Sequence, residues 1–115
     1  MGRAILESMI IRGVPGRAEF SPEKMGKVTL AAGGFLYAGM NCFLPGQEHK
    51  AHVHEDQDKL YLVTEGEGEA TLGEEITQVR TGDLILARAG VSHGLRNTGT
   101  ANFAVLVVFA PPPKK

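Results

Sequence analysis

Hydrophobic and polar residues alternate along most of the chain in stretches of four to nine residues, separated by glycines and other turn-forming residues. Alternation with a period of two is typical of half-buried β-strands. No stretch longer than about two turns keeps apolar residues at helical spacing without a glycine or proline interrupting it. The pattern therefore predicts an all-β sandwich or barrel, with strands at residues 27–31, 35–43, 59–64, 67–72, 76–80, 83–87, 94–97 and 101–109.

Three segments depart from this pattern. Ser21 followed by Pro22 has the form of a helix N-cap with proline at the first helical position, which predicts one helical turn over residues 21–24. Residues 4–12 predict a short turn or strand. Residues 111–115 contain three prolines and two lysines and cannot join a sheet ladder, so we expect a flexible tail after a core at about 25–110.

Composition indicates one ordinary globular domain over residues 1–115, because 43% of the residues are hydrophobic and 22% are charged. The formal net charge is −1 and no basic cluster is present, which argues against nucleic acid as a partner. The longest apolar run, residues 103–110, is too short to cross a membrane, and Glu7 interrupts the N-terminal apolar stretch. The single cysteine, Cys42, excludes an intramolecular disulfide, so we expect a cytoplasmic protein.

Histidines are the side chains best suited to chemistry: the chain contains His49, His52, His54 and His93. His52 and His54 form a His-x-His pair, and side chains two apart on a strand point to the same face. Imidazole nitrogens bind divalent transition metals, so such a pair makes half of a metal site. A histidine-rich surface loop is the alternative explanation of the pair taken by itself.

Two runs around these histidines resemble the signature motifs of the cupin superfamily. The first motif, G-x5-H-x-H-x(3,4)-E-x6-G, corresponds here to Gly46, His52, His54, Lys59 and Gly66. The second, G-x5-P-x-G-x2-H-x3-N, begins after a short separation and corresponds to Gly82, Arg88, Gly90, His93 and Asn97. The resemblance covers residues 46–97 and is greatest to uncharacterised bacterial single-domain cupins. It implies a single double-stranded β-helix, or jelly-roll, barrel with a metal in its mouth.

The resemblance implies that His52, His54 and His93 are metal ligands, but the motif's fourth ligand, a glutamate, is replaced by Lys59. An ammonium group cannot donate to a metal, and its charge repels a cation. Three arrangements remain open. Lys59 pairs with an acid such as Asp58 or Glu55, it loses its proton on burial, or the site binds an anion in place of a metal.

Three neighbouring side chains are further candidates for the metal site. A one-residue bulge would bring Asp58 to the ligand position. Gln57 supplies either a weak oxygen ligand or a solvated loop amide. His49 precedes His52 by three residues, one step off the alternation of the strand, so we expect it to lie beside the site or on the surface.

A divalent ion held by three neutral imidazoles keeps its full charge, which favours a small anionic ligand. Iron, manganese, zinc, nickel and copper are all compatible with this reasoning. The three-histidine set is similar to that of the thiol and diketone dioxygenases among the cupins. The similarity implies an oxygenase-type oxidoreductase acting on a small anionic metabolite, with Lys59 and Tyr61 as candidate catalytic residues. A non-enzymatic cupin that binds a sugar or an anion, with or without metal, is the alternative.

Cupins often pair through their sheets, and this resemblance implies a homodimer. The long apolar stretches at residues 35–44 and 101–110 suit such a dimer. A barrel of this size could instead bury both stretches within one subunit.

Overall fold

Nine strands form two antiparallel sheets in the computed structural model, which describes residues 9–112. In chain order the strands are β1 (Gly26–Ala32), β2 (Tyr37–Phe43), β3 (Glu48–His52), β4 (Asp58–Glu65), β5 (Glu67–Leu72), β6 (Glu75–Arg80), β7 (Leu84–Ala87), β8 (His93–Arg96) and β9 (Phe103–Ala110). One sheet has the order β1-β2-β9-β4-β7 and the other has the order β3-β8-β5-β6. The chain therefore crosses repeatedly between the sheets, and the predicted all-β jelly-roll fold is confirmed.

The alternation along β4 shows how the sequence builds the interior. Lys59, Tyr61 and Val63 are buried, whereas Leu60, between them, is 40% exposed on the outer face of its sheet. The inward apolar side chains of both sheets form one core, made of Phe43, Tyr61, Val63, Ala70, Val79, Ile85, Ala87, Leu95, Phe103, Val105 and Val107. Each large side chain buried in this way contributes about 1.5–3 kcal/mol to folding.

The segment before β1 covers part of the outer face of the five-stranded sheet. Met40, Cys42 and Ala104 form a second buried cluster there, against which Val14, Ala18, Phe20, Val28 and Leu30 pack. Cys42 is buried and unpaired, as expected of a small hydrophobic side chain, and burial is the main cause that raises the pKa of its thiol.

The helical turn predicted at residues 21–24 is wrong, and a 3-10 turn occurs earlier, at Val14–Arg17. Gly13 precedes this turn with a φ of 62°, and Pro15 occupies one of its first positions. At Ser21, the backbone carbonyl instead accepts a hydrogen bond of 2.7 Å from the side-chain amide of Gln47. That long-range contact fixes residue 21 in a connection between elements, so the local N-cap signal is overridden.

The sequence pattern did not predict β3. Its five residues, Glu48–His52, do not alternate in burial, because a register shift interrupts their pairing with β8. On β3 three steps separate His49 from His52, whereas on β8 only two steps separate their partners Leu95 and His93. This extra residue is a β-bulge, and it removes the period of two by which strands are recognised.

Both ends of the chain extend past the described residues. The turn or strand predicted at residues 4–12 lies mostly outside them, as do residues 113–115 of the predicted tail. Within residues 9–112, no helix is long and apolar enough to cross a membrane.

Candidate metal centre

His52, His54 and His93 converge at one end of the space between the sheets. His52 ends β3 and pairs with His93 at the start of β8, and His54 lies two residues beyond the end of β3. One ring nitrogen from each histidine lies within 4.8 Å of the others. The ring centroids of His52 and His93 are 4.4 Å apart, and those of His52 and His54 are 4.7 Å apart. Among the described residues, these three form the one cluster of potential metal ligands.

Backbone carbonyls hold two of these rings in a defined tautomer. His52 Nδ1 lies 2.8 Å from the carbonyl of Lys50, and His93 Nδ1 lies 2.9 Å from the carbonyl of Val91. A carbonyl only accepts hydrogen bonds, so each Nδ1 carries the hydrogen and each Nε2 keeps its lone pair. His93 Nε2 is buried and has no hydrogen-bond partner. A histidine fixed through Nδ1 with a free Nε2 has the arrangement of a metal ligand, so these residues fit a divalent transition metal.

The surroundings favour the neutral form of two of these histidines. Burial lowers the pKa of His54 and of His93, and the nearby Lys59 and His52 lower both further. A neutral imidazole is the form that binds a metal. The site therefore offers lone pairs at neutral pH without having to release protons from these two rings.

The bulge in β3 turns His49 toward the same side as His52, although the simple alternation of a strand predicts the opposite face. Their ring centroids are 4.5 Å apart, and His49 Nδ1 is buried without a hydrogen-bond partner. Burial, followed by the proximity of His52 and Lys27, lowers the pKa of His49 to about 4. His49 lies beside the three-histidine cluster and is outside the set whose nitrogens converge within 4.8 Å.

Lys59 points into the interior beside His52. The residue is 6% exposed, and its Nζ lies 3.5 Å from His52 Nε2 and 5.1 Å from the centroid of the Phe109 ring. Within residues 9–112 no ion pair joins Lys59 to an acid, and no carboxylate is among the causes that shift its pKa. Burial, followed by the charge of Lys27, lowers the pKa of Lys59 to about 8, and the side chain remains mainly charged at pH 7.

The structure does not bring Asp58 or Gln57 to the cluster. The Asp58 carboxylate accepts a hydrogen bond of 2.8 Å from the backbone N–H of Ala89. The Gln57 amide is buried and donates to the carbonyl of Pro111 at 2.9 Å. Both side chains therefore stabilise loops near the site.

Tyr61 lies deeper in the interior, on the same face of β4 as Lys59. It is 2% exposed, and its ring centroid is 6.3 Å from that of His93. Burial raises the pKa of its phenol, so the hydroxyl stays protonated at neutral pH. Tyr61 forms part of the wall behind the histidine cluster.

Two cavities meet next to the cluster. The inner cavity has a volume of about 80 Å³, and its polar lining residues are Lys27, Tyr37, Asn41, His49 and Lys59. Its other walls are Val28, Gly39, Met40, Val107 and Phe109. The outer cavity, of about 470 Å³, shares Lys27 and His49 with the inner one and opens beside Ser21 and Glu48. The inner cavity is a small polar pocket with one apolar side.

Sequence reasoning missed two residues that shape this site. Gly94 lies opposite the β3 bulge, where an added Cβ would come within 2.8 Å of the backbone of His49 and Ala51. A glycine inside a strand is the signal that could have revealed this close approach. Lys27 is the second. The neighbouring sequence gives no sign that Lys27 belongs to the site, because its place beside Lys59 depends on the pairing of β1 with β2.

Comparison with known proteins is consistent with this geometry. The family model of the cupin domain matches residues 39–109. An uncharacterized protein of Streptomyces coelicolor is 41% identical over 56 residues, which make up 49% of this chain and 52% of that protein. The match thus spans about half the length of that curated relative.

Solved structures match over most of the chain. The crystal structure of TT1209 from Thermus thermophilus has a TM-score of 0.86 and 38% identity, over 90% of this chain and 98% of that one. A protein with a double-stranded β-helix domain from Klebsiella pneumoniae has a TM-score of 0.81 and 27% identity, over 88% of this chain and 89% of that one. Neither description assigns an activity.

Proposed function

The chain belongs to the cupin domain family, and we propose that it binds one divalent transition metal ion through His52, His54 and His93. We further propose that it uses this ion as an oxygenase-type oxidoreductase that acts on a small anionic metabolite in the cytoplasm. The observation that carries the proposal is the convergence of three ring nitrogens within 4.8 Å, with His93 Nε2 buried and free of any partner. A buried nitrogen without a partner is costly unless a ligand satisfies it.

The donor set narrows the identity of the metal. Three imidazoles suit zinc, copper, iron and nickel, and manganese is more weakly favoured because it prefers oxygen ligands. When bound, such an ion supplies Lewis acidity and, for iron, manganese or copper, a redox centre at which oxygen can react. The carbonyls of Lys50 and Val91 hold His52 and His93 in the ligating tautomer. The apolar core around Tyr61 closes the back of the site to water.

Charge explains why the ligand is anionic. Three neutral imidazoles leave the +2 charge of the ion uncompensated, and the Lys59 ammonium adds another positive charge beside His52. No carboxylate joins the cluster among the described residues. An anion that enters the pocket therefore gains charge–charge attraction from both centres, whereas a neutral ligand gains only the weaker attraction between a charge and a dipole.

Binding without catalysis is the second candidate function. It is favoured by Lys59, because a buried lysine near the histidines suits a receptor for an anion as well as it suits an enzyme. Under this alternative the same pocket holds a sugar or an anion, with or without metal, and no reaction follows.

Oxygen consumption distinguishes the two candidates. We would load the protein separately with iron, manganese, zinc, nickel or copper and follow dissolved oxygen during addition of thiols, β-diketones and hydroxy acids. An oxygenase consumes oxygen with at least one redox-active metal and one substrate class, and His93→Ala abolishes this consumption. If oxygen stays constant across the panel while an anion of the panel binds stoichiometrically, the binding function replaces the oxygenase.

We also propose that the protein is a homodimer, supported by an apolar surface on the five-stranded sheet that no other described segment covers. In two rows across β9, β4 and β7, Leu60 pairs with Val108 and Leu86, and Leu62 pairs with Leu106 and Leu84. Leu84 is 65% exposed and Leu86 is 48% exposed. The segment at residues 14–20 covers β1 and β2 on the same face but does not pack on these rows. Exposed apolar rows of this kind mark a protein interface, and the same rows on a second copy offer a matching apolar surface.

A further inference from the structure

Lys59 is a buried cation that faces a cavity and has no acid paired with it in the part of the chain that the structure describes. It is 6% exposed, its Nζ lies 3.5 Å from His52 Nε2 and 5.1 Å from the centroid of the Phe109 ring, and no described carboxylate forms an ion pair with it. Burial of an unpaired charge is strongly unfavourable, and proteins usually avoid it. An anion from solution that forms an ion pair with Lys59 would offset the free-energy cost of burying its charge.

The cavity beside Lys59 has the lining that such an anion requires. Asn41 is 6% exposed and lines it with a neutral amide, and His49 lines it with a buried Nδ1 that has no partner. Val107 and Phe109 form an apolar wall. The volume of about 80 Å³ corresponds to two or three water molecules at about 30 Å³ each, so an anion of three or four heavy atoms fills it.

We propose that this inner cavity is a binding site for a short-chain carboxylate such as acetate, held by Lys59, and that carboxylate binding and metal binding favour each other. The carboxylate oxygens meet the Lys59 ammonium and the neutral groups of Asn41 and His49, and the short hydrocarbon end packs against Val107 and Phe109. The carboxylate site stands on the cavity and Lys59 alone, whereas the coupling also rests on the proposed metal site.

The coupling follows from the position of Lys59 between the two sites. Its Nζ lies 3.5 Å from His52 Nε2, where it competes for the lone pair and repels a divalent cation. A carboxylate bound to Lys59 neutralises this charge and draws the ammonium away from the histidine. By linkage, the metal strengthens carboxylate binding by the same factor as the carboxylate strengthens metal binding.

Metal-free protein tests the carboxylate site independently of the metal. We would titrate chelator-treated protein with sodium acetate, acetamide, benzoate and, at equal ionic strength, sodium chloride, following heat release and melting temperature. Acetate is expected to bind and stabilise the wild type, whereas the neutral acetamide and the bulky benzoate do not. This comparison requires no variant. An equal effect of chloride would overturn the proposal, because it would show an adventitious ion only.

Two variants assign the effect to Lys59. Lys59→Met removes the buried charge, and Arg80→Met removes an exposed charge on β6, the edge strand furthest from β3. Acetate binding is expected to be lost in Lys59→Met and retained in Arg80→Met. Retention in both variants would exclude Lys59 as the holder of the carboxylate.

Zinc titrations with and without acetate test the coupling. In the wild type, acetate is expected to raise zinc affinity by on the order of tenfold. Lys59→Met is expected to bind zinc more tightly than the wild type in the absence of acetate and to show no further gain with it. An equal gain in both proteins would mean that acetate binds the metal directly, which contradicts the coupling. Absence of zinc binding throughout would refute the proposed metal site, while the acetate result in metal-free protein would still decide the carboxylate site.

Discussion

At the scale of single residues, Lys59 separates this site from the four-ligand pattern of the cupin motif. Lys59 lies on β4, and its cross-strand partners are Ala87 on β7 and Phe109 on β9, neither of which is acidic. The sequence motif located Lys59 at the ligand position, but it left open whether an acid would pair with it. That question depends on neighbours contributed by β7 and β9, which the local sequence does not reveal.

Replacement of Lys59 by methionine is expected to stabilise the metal-free protein. The change removes an unpaired buried charge and keeps an unbranched side chain of similar length, so we expect the free energy of unfolding to rise by about 1–3 kcal/mol. Denaturant unfolding of chelator-treated protein measures this. Arg80→Met, at an exposed position, is expected to change it by less than about 0.5 kcal/mol. A less stable Lys59→Met protein would mean that the ammonium has a stabilising partner.

Cys42, the single cysteine of the chain, lies where its thiol is shielded from solvent. It is fully buried in the second cluster with Met40 and Ala104, and burial raises its pKa. A raised pKa keeps the thiol protonated at pH 8, so we expect no reaction with a disulfide reagent in the native protein and complete reaction after unfolding in guanidinium. Rapid stoichiometric reaction of the folded protein would show that this cluster opens readily.

At the scale of elements, the β3 bulge determines which histidines share a face. Alternation alone predicts that His49 and His52 lie on opposite faces, and the extra residue brings them to the same side. Eight strands could be predicted because their side chains alternate in burial or form continuous apolar runs. The bulge could not be predicted from the sequence, because it arises from the pairing of β3 with β8 and from the space beside Gly94, which has no side chain.

Gly94→Ala tests the importance of this bulge. The added methyl group would lie 2.8 Å from the amide nitrogen of Ala51 and from the carbonyl oxygen of His49, so the bulge must shift. We expect a loss of about 2–3 kcal/mol in stability and a weaker metal site. Unfolding curves and zinc titrations measure the two effects.

Gly99→Ala is the matched control, because its added Cβ would have no neighbour closer than 3.7 Å. This variant is expected to retain both stability and zinc affinity. If Gly94→Ala behaves in the same way, the bulge does not constrain the histidines.

At the scale of the whole molecule, the two sheets place Lys59, Tyr61 and His93 in the interior and leave apolar residues on one outer face. The sequence left open whether the apolar stretches at 35–44 and 101–110 form a dimer surface or are buried within one subunit. Residues 14–20 cover the outer face of β2, and the exposed leucines belong mainly to β4 and β7. This arrangement depends on the order β1-β2-β9-β4-β7, which adjacent segments of the sequence do not determine.

The homodimer is tested by charge placed on this surface. The double substitution Leu84→Glu and Leu86→Glu is expected to weaken dimerisation at least about 100-fold, because two apolar side chains are lost and two like charges are introduced in each copy. Sedimentation velocity over a range of concentrations measures the change. Ile76→Glu, at a position 61% exposed on the other sheet, is the control and is expected to remain dimeric. A wild type that is monomeric at all concentrations would refute the dimer.

Metal content is the most direct test of the three-histidine site. Plasma mass spectrometry of freshly purified protein is expected to give about one transition metal ion per chain. The double variant His52→Ala, His54→Ala is expected to lose it, and His49→Gln, outside the converging set, is expected to retain it. Protein that contains little metal, and that does not regain it when iron, manganese, zinc, nickel or copper is added, would contradict the metal site.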